Sequence, residues 1–505
     1  MNAMPQWTEL VDKRGLDPLG MQNSGVALYQ RLVPGISNVT LRMRYYGFYC
    51  WLSDAYARHE GSTNYEDWRR WVRRAEALFA LVSSMAGSEG GVGGIDWANT
   101  RLKLGEDEID FAEAASNSNE VKTYLNQSMG VFGGAYYTQM VEFGLFVEGD
   151  HGIPKATKDR GLALAGAFRE AIGVELEALL IARIMSARVT RTELEALKPV
   201  APSKIAEESS ERDAYEKALF AISDPTPGPV EGRHATLQLL LYTTNVLGSR
   251  PDPDTIRWFL FKGAGQDFPE SLEPQRLRWE AYQAHDLFQL AAAAFLAYAI
   301  ALMGETEGGM SLEEIADEVL RRWASSEPES VGKTWAEYRD QLHASDEQLQ
   351  SWSLAIAGRR NTPEAKARDA VRLIAALHQR IDDRPDLAAE INHSLRVAGQ
   401  ARSVWSELAW LRDRDTMTVA ELLAEYVVHR VVRRHTWVAM QKLRRQRDYT
   451  FLFEARDGRF TRRADYMPVA TTPRLAPAMQ FLADIHLLAQ GGLTAKGLAI
   501  AGAVS

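Results

Sequence analysis

Cysteine is nearly absent from this sequence. A single residue, Cys50, stands among 505, which excludes an intramolecular disulfide framework and a cysteine-built zinc site and fits a reducing compartment. Long apolar runs are also missing. The most apolar stretch, Leu287–Met303, is interrupted by Gln289 and carries alanine at seven positions; it falls short of the ~20 residues of a membrane span and predicts a buried core helix. Residues Met1–Asp17 carry charges and no long apolar stretch, so no signal peptide is expected there. The expected location is the cytoplasm, with no membrane partner. Positive charge does not dominate: 58 Lys and Arg stand against 67 Asp and Glu, a net of −9, which excludes a polybasic nucleic-acid coat.

Several catalytic signatures are absent as well. The ten histidines show no His-x3-His or His-Glu-x2-His spacing, so neither a metal nor a cofactor is expected. No Gly-x-Ser-x-Gly elbow occurs. Gly90–Gly94 is glycine-rich but lacks the lysine and the strand–loop–helix setting of a phosphate loop, so it reads as a linker. Asp110 with Glu120 and Lys122 has a nuclease-like metal spacing, but Ala114–Asn119 lacks the strand such a site needs.

What is present is helix. Hydrophobic residues make up 46% and charged residues 25% of the chain, the balance of a globular protein with ample core. Trp68–Met85, Leu162–Ala187, Glu280–Met303, Leu312–Trp323, Thr362–Arg380 and Thr418–Arg445 repeat apolar residues at three- and four-residue steps. Ser311-Leu-Glu-Glu314 and Thr362-Pro-Glu have the hydroxyl, acid and proline of helix starts. Proline, glycine and charge gather at Ser88–Gly94, Lys198–Ser210 and Asp224–Gly232. The expected fold is mainly α and multidomain: an N-terminal helical domain over 1–200, a central helical domain over 201–411 and a basic domain over 412–505, with one or two winged-helix-like units and a short C-terminal β-hairpin.

One pattern occurs twice. Gly161-Leu-Ala-Leu-Ala-Gly-Ala167 and Gly497-Leu-Ala-Ile-Ala-Gly-Ala503 differ only by Leu against Ile. Each follows a threonine, Thr157 or Thr494, and a short apolar stretch precedes each, Phe143–Val147 or Ile485–Ala489. The unit predicted is a helix, a short extended segment, a threonine cap and a final helix, an order found near the ends of winged-helix modules. Two alanine-rich helix starts can also coincide.

Two segments concentrate arginine and aromatics. In the first, Pro34-Gly35 is a turn and Asn38 or Thr40 is expected to cap the helix that follows. That helix carries Tyr45, Phe48, Trp51 and Leu52 on one stripe and Arg42 and Arg44 in its first turn, against the macrodipole. Either the arginines contact phosphate while the aromatics stack on bases, or this is a core helix whose arginines meet distant acids.

The second segment, Arg430–Arg463, holds eleven basic residues and three acids: +8, against −17 for the rest of a chain whose total is −9. The candidates for nucleic-acid contact here are Arg433, Arg434, Lys442, Arg444, Arg445, Arg447, Arg456, Arg459, Arg462 and Arg463. A helix ending in Lys442-Leu-Arg-Arg-Gln-Arg447 is followed by Tyr449–Glu454, a turn at Asp457-Gly458 and Arg459–Arg463. A basic helix with a basic wing suits a nucleic-acid backbone; the same face also suits an acidic protein partner. Arg430 and His435 have the Arg-x4-His spacing of a class of helical ribonucleases, as a candidate catalytic pair. In that class a polar residue usually follows the arginine, where this chain has Val431. Five helical steps also set the two side chains ~140° apart. His285-Asp286, on an amphipathic helix, reads as a paired structural histidine rather than a catalytic dyad.

Arg42-Met-Arg-Tyr-Tyr-Gly-Phe-Tyr-Cys-Trp51 after Pro-Gly-Ile-Ser-Asn resembles the opening of a group of uncharacterised bacterial proteins encoded among phage-defence and mobile-element genes. Arg278–Phe288, His435–Leu443 and Phe451–Arg459 are similar to segments of the same group. The resemblance covers about a quarter of the chain and implies companion defence proteins without supplying catalytic residues. The function expected is therefore a non-enzymatic, DNA-associated or assembly subunit of a bacterial anti-phage system. Two alternatives stand beside it: a ribonuclease effector using Arg430 and His435, and a winged-helix adaptor of a chromosome-type ATPase complex.

Overall fold

A computed structural model describes residues 17–87, 90–116, 123–221, 230–263, 268–397 and 402–502. The expectations for residues 1–16, Ser88, Glu89, Glu120, Lys122, 224–229 and Ala503 lie outside these. The protein is mainly helical, with a few strands of two to four residues. It forms two compact units, neither of which is one continuous segment: residues 1–28 with 280–471, and residues 29–279 with 472–505. These are not the contiguous segments divided at 200 and 412.

In the unit of residues 29–279 and 472–505, the aromatic helix Arg44–His59 packs along the helix Gly161–Ser186. Tyr45, Tyr46, Phe48, Tyr49, Cys50, Trp51 and Leu52 are all buried, so the helix is enclosed on every side instead of along one stripe. Phe48 stacks on Phe79 at 4.4 Å between ring centroids, and Tyr45 stacks on Tyr49 at 5.3 Å. Burial pushes the Cys50 thiol up, which makes it an inert core group.

Neither Asn38 nor Thr40 caps this helix. Its N-cap is Met43, without a side-chain cap, and the Asp484 carboxylate accepts from the Met43 N–H at 2.9 Å and from Arg42 Nε at 3.1 Å. A buried anion at this terminus satisfies the macrodipole and the arginine together.

The repeated sequence folds twice in this unit with matching main-chain bonds. The helix Tyr137–Glu142 leads into the strand pair Phe146–Val147 and Lys155–Ala156; the helix Leu475–Asp484 leads into Leu488–Ala489 and Gly492–Leu493. Leu145 N–H donates to Met140 O, and Leu487 N–H donates to Leu482 O. Thr157 Oγ1 accepts from the Gly161 N–H at 2.9 Å, and Thr494 Oγ1 accepts from the Gly497 N–H at 3.1 Å. Glycine is required at both places: a Cβ would stand 2.4 Å from Leu145 O at Gly161 and 2.1 Å from Leu487 O at Gly497.

The unit of residues 1–28 and 280–471 is built from helices whose starts follow local sequence. Ser311 and Glu314 form a capping box, Thr362 Oγ1 accepts from the Ala365 N–H, and Thr418 with Glu421 forms a second box. The apolar run expected here belongs to the helix Glu273–Met303. That helix is long and apolar enough to cross a membrane by length and composition, but 89% of its apolar window is buried inside the protein.

The stretch Thr418–Arg445, expected as one regular helix, is the helix Val419–Glu425, a widened π-helical turn over Tyr426–Val432, and the helix Arg433–Gln446. The strands Phe453–Arg456 and Arg459–Arg462 pair antiparallel around Asp457-Gly458, both with positive φ. Phe460 continues the ladder to Met310 through two backbone hydrogen bonds of 2.8 and 3.0 Å.

Candidate nucleic-acid interface

The basic helix Arg433–Gln446 has two faces with different work. One face holds residues 17–19 by their main chain. Lys442 Nζ donates to Asp17 O at 3.0 Å, His435 Nδ1 to Pro18 O at 3.0 Å, and Arg434 Nε to Leu19 O at 3.1 Å. The segment's buried carbonyls are thereby satisfied by side chains instead of by a strand or helix.

His435 is 1% exposed, and its second nitrogen is also used: Nε2 accepts from the Leu452 N–H at 3.0 Å. Both partners are uncharged backbone groups, and burial brings the histidine down to about 4. The ring is therefore a neutral, doubly bonded core group. Arg430 turns elsewhere, to the buried Glu407. Glu407 also accepts from Arg402 at 2.8 and 2.7 Å and from Tyr426 Oη at 2.7 Å. Burial opposes the Glu407 charge, but Arg402 and Arg430 outweigh it and hold the carboxyl at about 2. The proposed pairing of Arg430 with His435 is thus corrected: one side chain closes a buried ion network and the other ties three chain segments together. The widened turn begins beside this network, which receives Tyr426 and Arg430 from it.

Of the other candidates, Arg42, Arg44, Arg459 and Arg463 are engaged within the protein, whereas Arg456 and Arg462 keep only surface pairs. Arg42 and Arg44 are buried, Arg42 on Asp484 and Arg44 on Glu211 at 2.9 Å, with Pro199 O and Ala201 O as further acceptors for Arg44. Arg459 donates to Gly308 O and Gly309 O and meets Glu314 at 2.8 Å. Arg463 donates to Phe451 O and covers the Tyr449 ring at 4.5 Å. Arg462 faces Asp465 at 3.2 Å, and Arg456 lies 3.6 Å from Asp457, both on the exposed side of the hairpin. His285 is structural, but its partners are Met21 O and the Val404 N–H instead of Asp286. Asp110 pairs with Arg188. No group of three or more His, Cys, Asp or Glu side chains could hold a metal among the described residues.

The opposite face of the basic helix is open. Arg433, Trp437, Met440 and Arg444 fall within about 60° of one another at 100° per residue. All four are exposed, Trp437 by 53% and Met440 by 42%. Arg434 Cζ stands 4.4 Å over the Trp437 ring. Arg445 in the last turn and Arg447 at the helix end extend the charge, and beyond them Tyr449 is exposed by 51%. Arg444, Arg445 and Arg447 form no ion pair among the described residues. Charge counting does not find Trp437 and Met440. They sit beside the buried Val438 and Ala439 in one apolar run, and only the run's width, exceeding a single helix face, signals that part of it is outside.

Compared with known proteins, the chain matches no family model, no curated protein and no solved structure.

Proposed function

We propose that this protein is a non-enzymatic, nucleic-acid-associated subunit that grips the backbone through the open face of the helix Arg433–Gln446. The observation that carries the reading is the row Arg433, Trp437, Met440 and Arg444, continued by Arg445, Arg447 and Tyr449. Arginines free of counter-ions neutralise phosphates, and exposed indole and phenol rings offer stacking surfaces to unpaired bases. Such a surface favours single strands or frayed ends without reading sequence. The hairpin Phe453–Arg462 would act as a short wing beside the helix, and the twice-folded helix–hairpin–helix element supports the reading of winged-helix-like ends. A bacterial anti-phage system, with companion proteins, is the setting that the resemblance of the opening segment implies.

Mobility shift and fluorescence anisotropy on single-stranded and duplex DNA test this between low and moderate salt. Binding should weaken with salt, and changing Arg444, Arg445 and Arg447 together to Gln should shallow the log–log slope by up to about three units on duplex. Trp437→Ala should weaken single-strand binding by about 1–3 kcal/mol. Absence of binding even at low salt would turn this face into a docking surface for an acidic protein.

A further inference from the structure

One arginine beside the open face of the helix Arg433–Gln446 is not given to solvent as its neighbours are. Arg434 is half-buried, and its guanidinium is engaged on several sides. Nε donates to Leu19 O at 3.1 Å, and Cζ stands 4.4 Å over the ring of Trp437, one turn further along the helix. Nη2 lies against residue 20, where glycine is required twice over. The backbone there has φ +71°, and a Cβ would stand 2.9 Å from Nη2 and 3.2 Å from Val438 Cγ2.

The anchor of this arginine is itself fixed. The Asp17 carboxylate accepts from the Met21 N–H at 3.0 Å and from the Gln22 N–H at 2.9 Å, which closes the segment on itself. Lys442 and His435 hold its carbonyls at Asp17 and Pro18. Arg434 carries that rigidity to the indole. A guanidinium suits the task, because it donates within its plane while its flat face lies on an aromatic ring. With one ring face covered, the 53% exposure of Trp437 is left to the opposite face and the rim.

An exposed side chain otherwise exchanges among rotamers, and a base that stacks on it must stop that exchange. Immobilising one such side chain on binding weakens affinity by about two- to twelvefold. We propose that Arg434 is a positioning residue for base stacking: pinned on Leu19 O, it holds the Trp437 indole by one face and leaves the opposite face as the surface on which a base stacks. This deepens the nucleic-acid reading of the helix and rests on it. Phosphate contact is then left to the exposed Arg433, Arg444, Arg445 and Arg447, and residues 17–20 help to build the binding face without touching the ligand.

The test is a double-mutant cycle on the full-length protein with a labelled single-stranded oligothymidylate, read by fluorescence anisotropy. Arg434→Lys keeps the charge but has no planar fork to cover the ring while bonding Leu19 O. Affinity should fall about two- to twelvefold when Trp437 is present and no further in a Trp437→Ala background, with the slope of log K against log salt unchanged. A direct phosphate contact predicts the reverse: lysine would retain binding, and Arg434→Gln would shallow the slope by about 0.7 in either background. Fluorotryptophan incorporated throughout the protein adds a measurement that needs no ligand. The Trp437 fluorine signal, assigned by its loss in Trp437→Ala, should move toward that of free tryptophan in Arg434→Lys. A loss of equal size in both backgrounds, or an unmoved fluorine signal, would overturn the positioning role and leave the nucleic-acid reading intact. Absence of strand binding by the wild type at low salt would overturn both.

Discussion

Replacing His435 by glutamine tests whether its imidazole is a structural tie. At neutral pH the variant loses an N–H donor to Pro18 O or an acceptor for the Leu452 N–H, both buried. It also loses the ring that meets Phe453 edge-on at 4.9 Å. One unsatisfied buried group and imperfect packing together cost about 2–4 kcal/mol.

The pH dependence is the sharper part. A histidine held at about 4 in the folded protein, against 6.5 for the free side chain, takes up its proton more readily when unfolded. Its contribution is complete above pH 6.5 and declines as the pH falls toward 4. At pH 5 the wild type has lost about 2 kcal/mol through this group, while glutamine has lost nothing. The penalty of His435→Gln should therefore shrink by about 2 kcal/mol between pH 7.5 and pH 5. His378, also brought down to about 4 by burial, is common to both proteins and cancels in the difference. Hydrogen exchange of peptides spanning residues 433–452, corrected for intrinsic exchange rates, measures the opening free energy locally. A penalty that stays constant across this range would show that His435 exchanges protons freely in the folded state, as a general base would. The structural assignment would then fail.

Glu407→Gln should cost about 3–5 kcal/mol, because Arg402, 5% exposed, is left with no full counter-charge. Thermal unfolding of the whole chain should show that loss at pH 7 and less of it as the pH drops from the usual carboxylate range toward 2, where the wild-type carboxyl protonates too. Gly497→Ala should lower stability by about 1–3 kcal/mol, since the new methyl meets Leu487 O. Gly166→Ala, with open space around it, should be neutral or slightly stabilising, and limited proteolysis read by mass spectrometry distinguishes the two.

The sequence could be read where the causes are local. Ser311 and Thr362 begin helices because a hydroxyl and a nearby backbone N–H decide the matter within four residues. The mainly helical character follows from apolar spacing of the same range. Where partners are distant, the reading stayed open. Nothing near Arg42 and Arg44 shows that Asp484 and Glu211 complete them, so phosphate contact and a core helix with distant acids stood side by side, and the second is what the structure has. The basic segment was legible as charge but not as geometry. A sum of +8 does not distinguish Lys442, spent on Asp17 O, from Arg444, open to solvent. The widened turn at Tyr426–Val432 adds a further blind spot, because it keeps the helix going while changing which face each later residue occupies.

The discontinuity of the aromatic unit bears on how the protein is made. Arg42 emerges from the ribosome 442 residues ahead of the carboxylate that neutralises it. At roughly 5–20 residues per second, that is about 20–90 s during which the start of the aromatic helix, with the Tyr46 ring that meets Phe481 edge-on at 5.5 Å, waits for the helix Leu475–Asp484. Translation therefore delivers the aromatic core first and its closing piece last, and a nascent chain stalled before residue 472 lacks both the carboxylate that meets Arg42 and the ring that covers Tyr46.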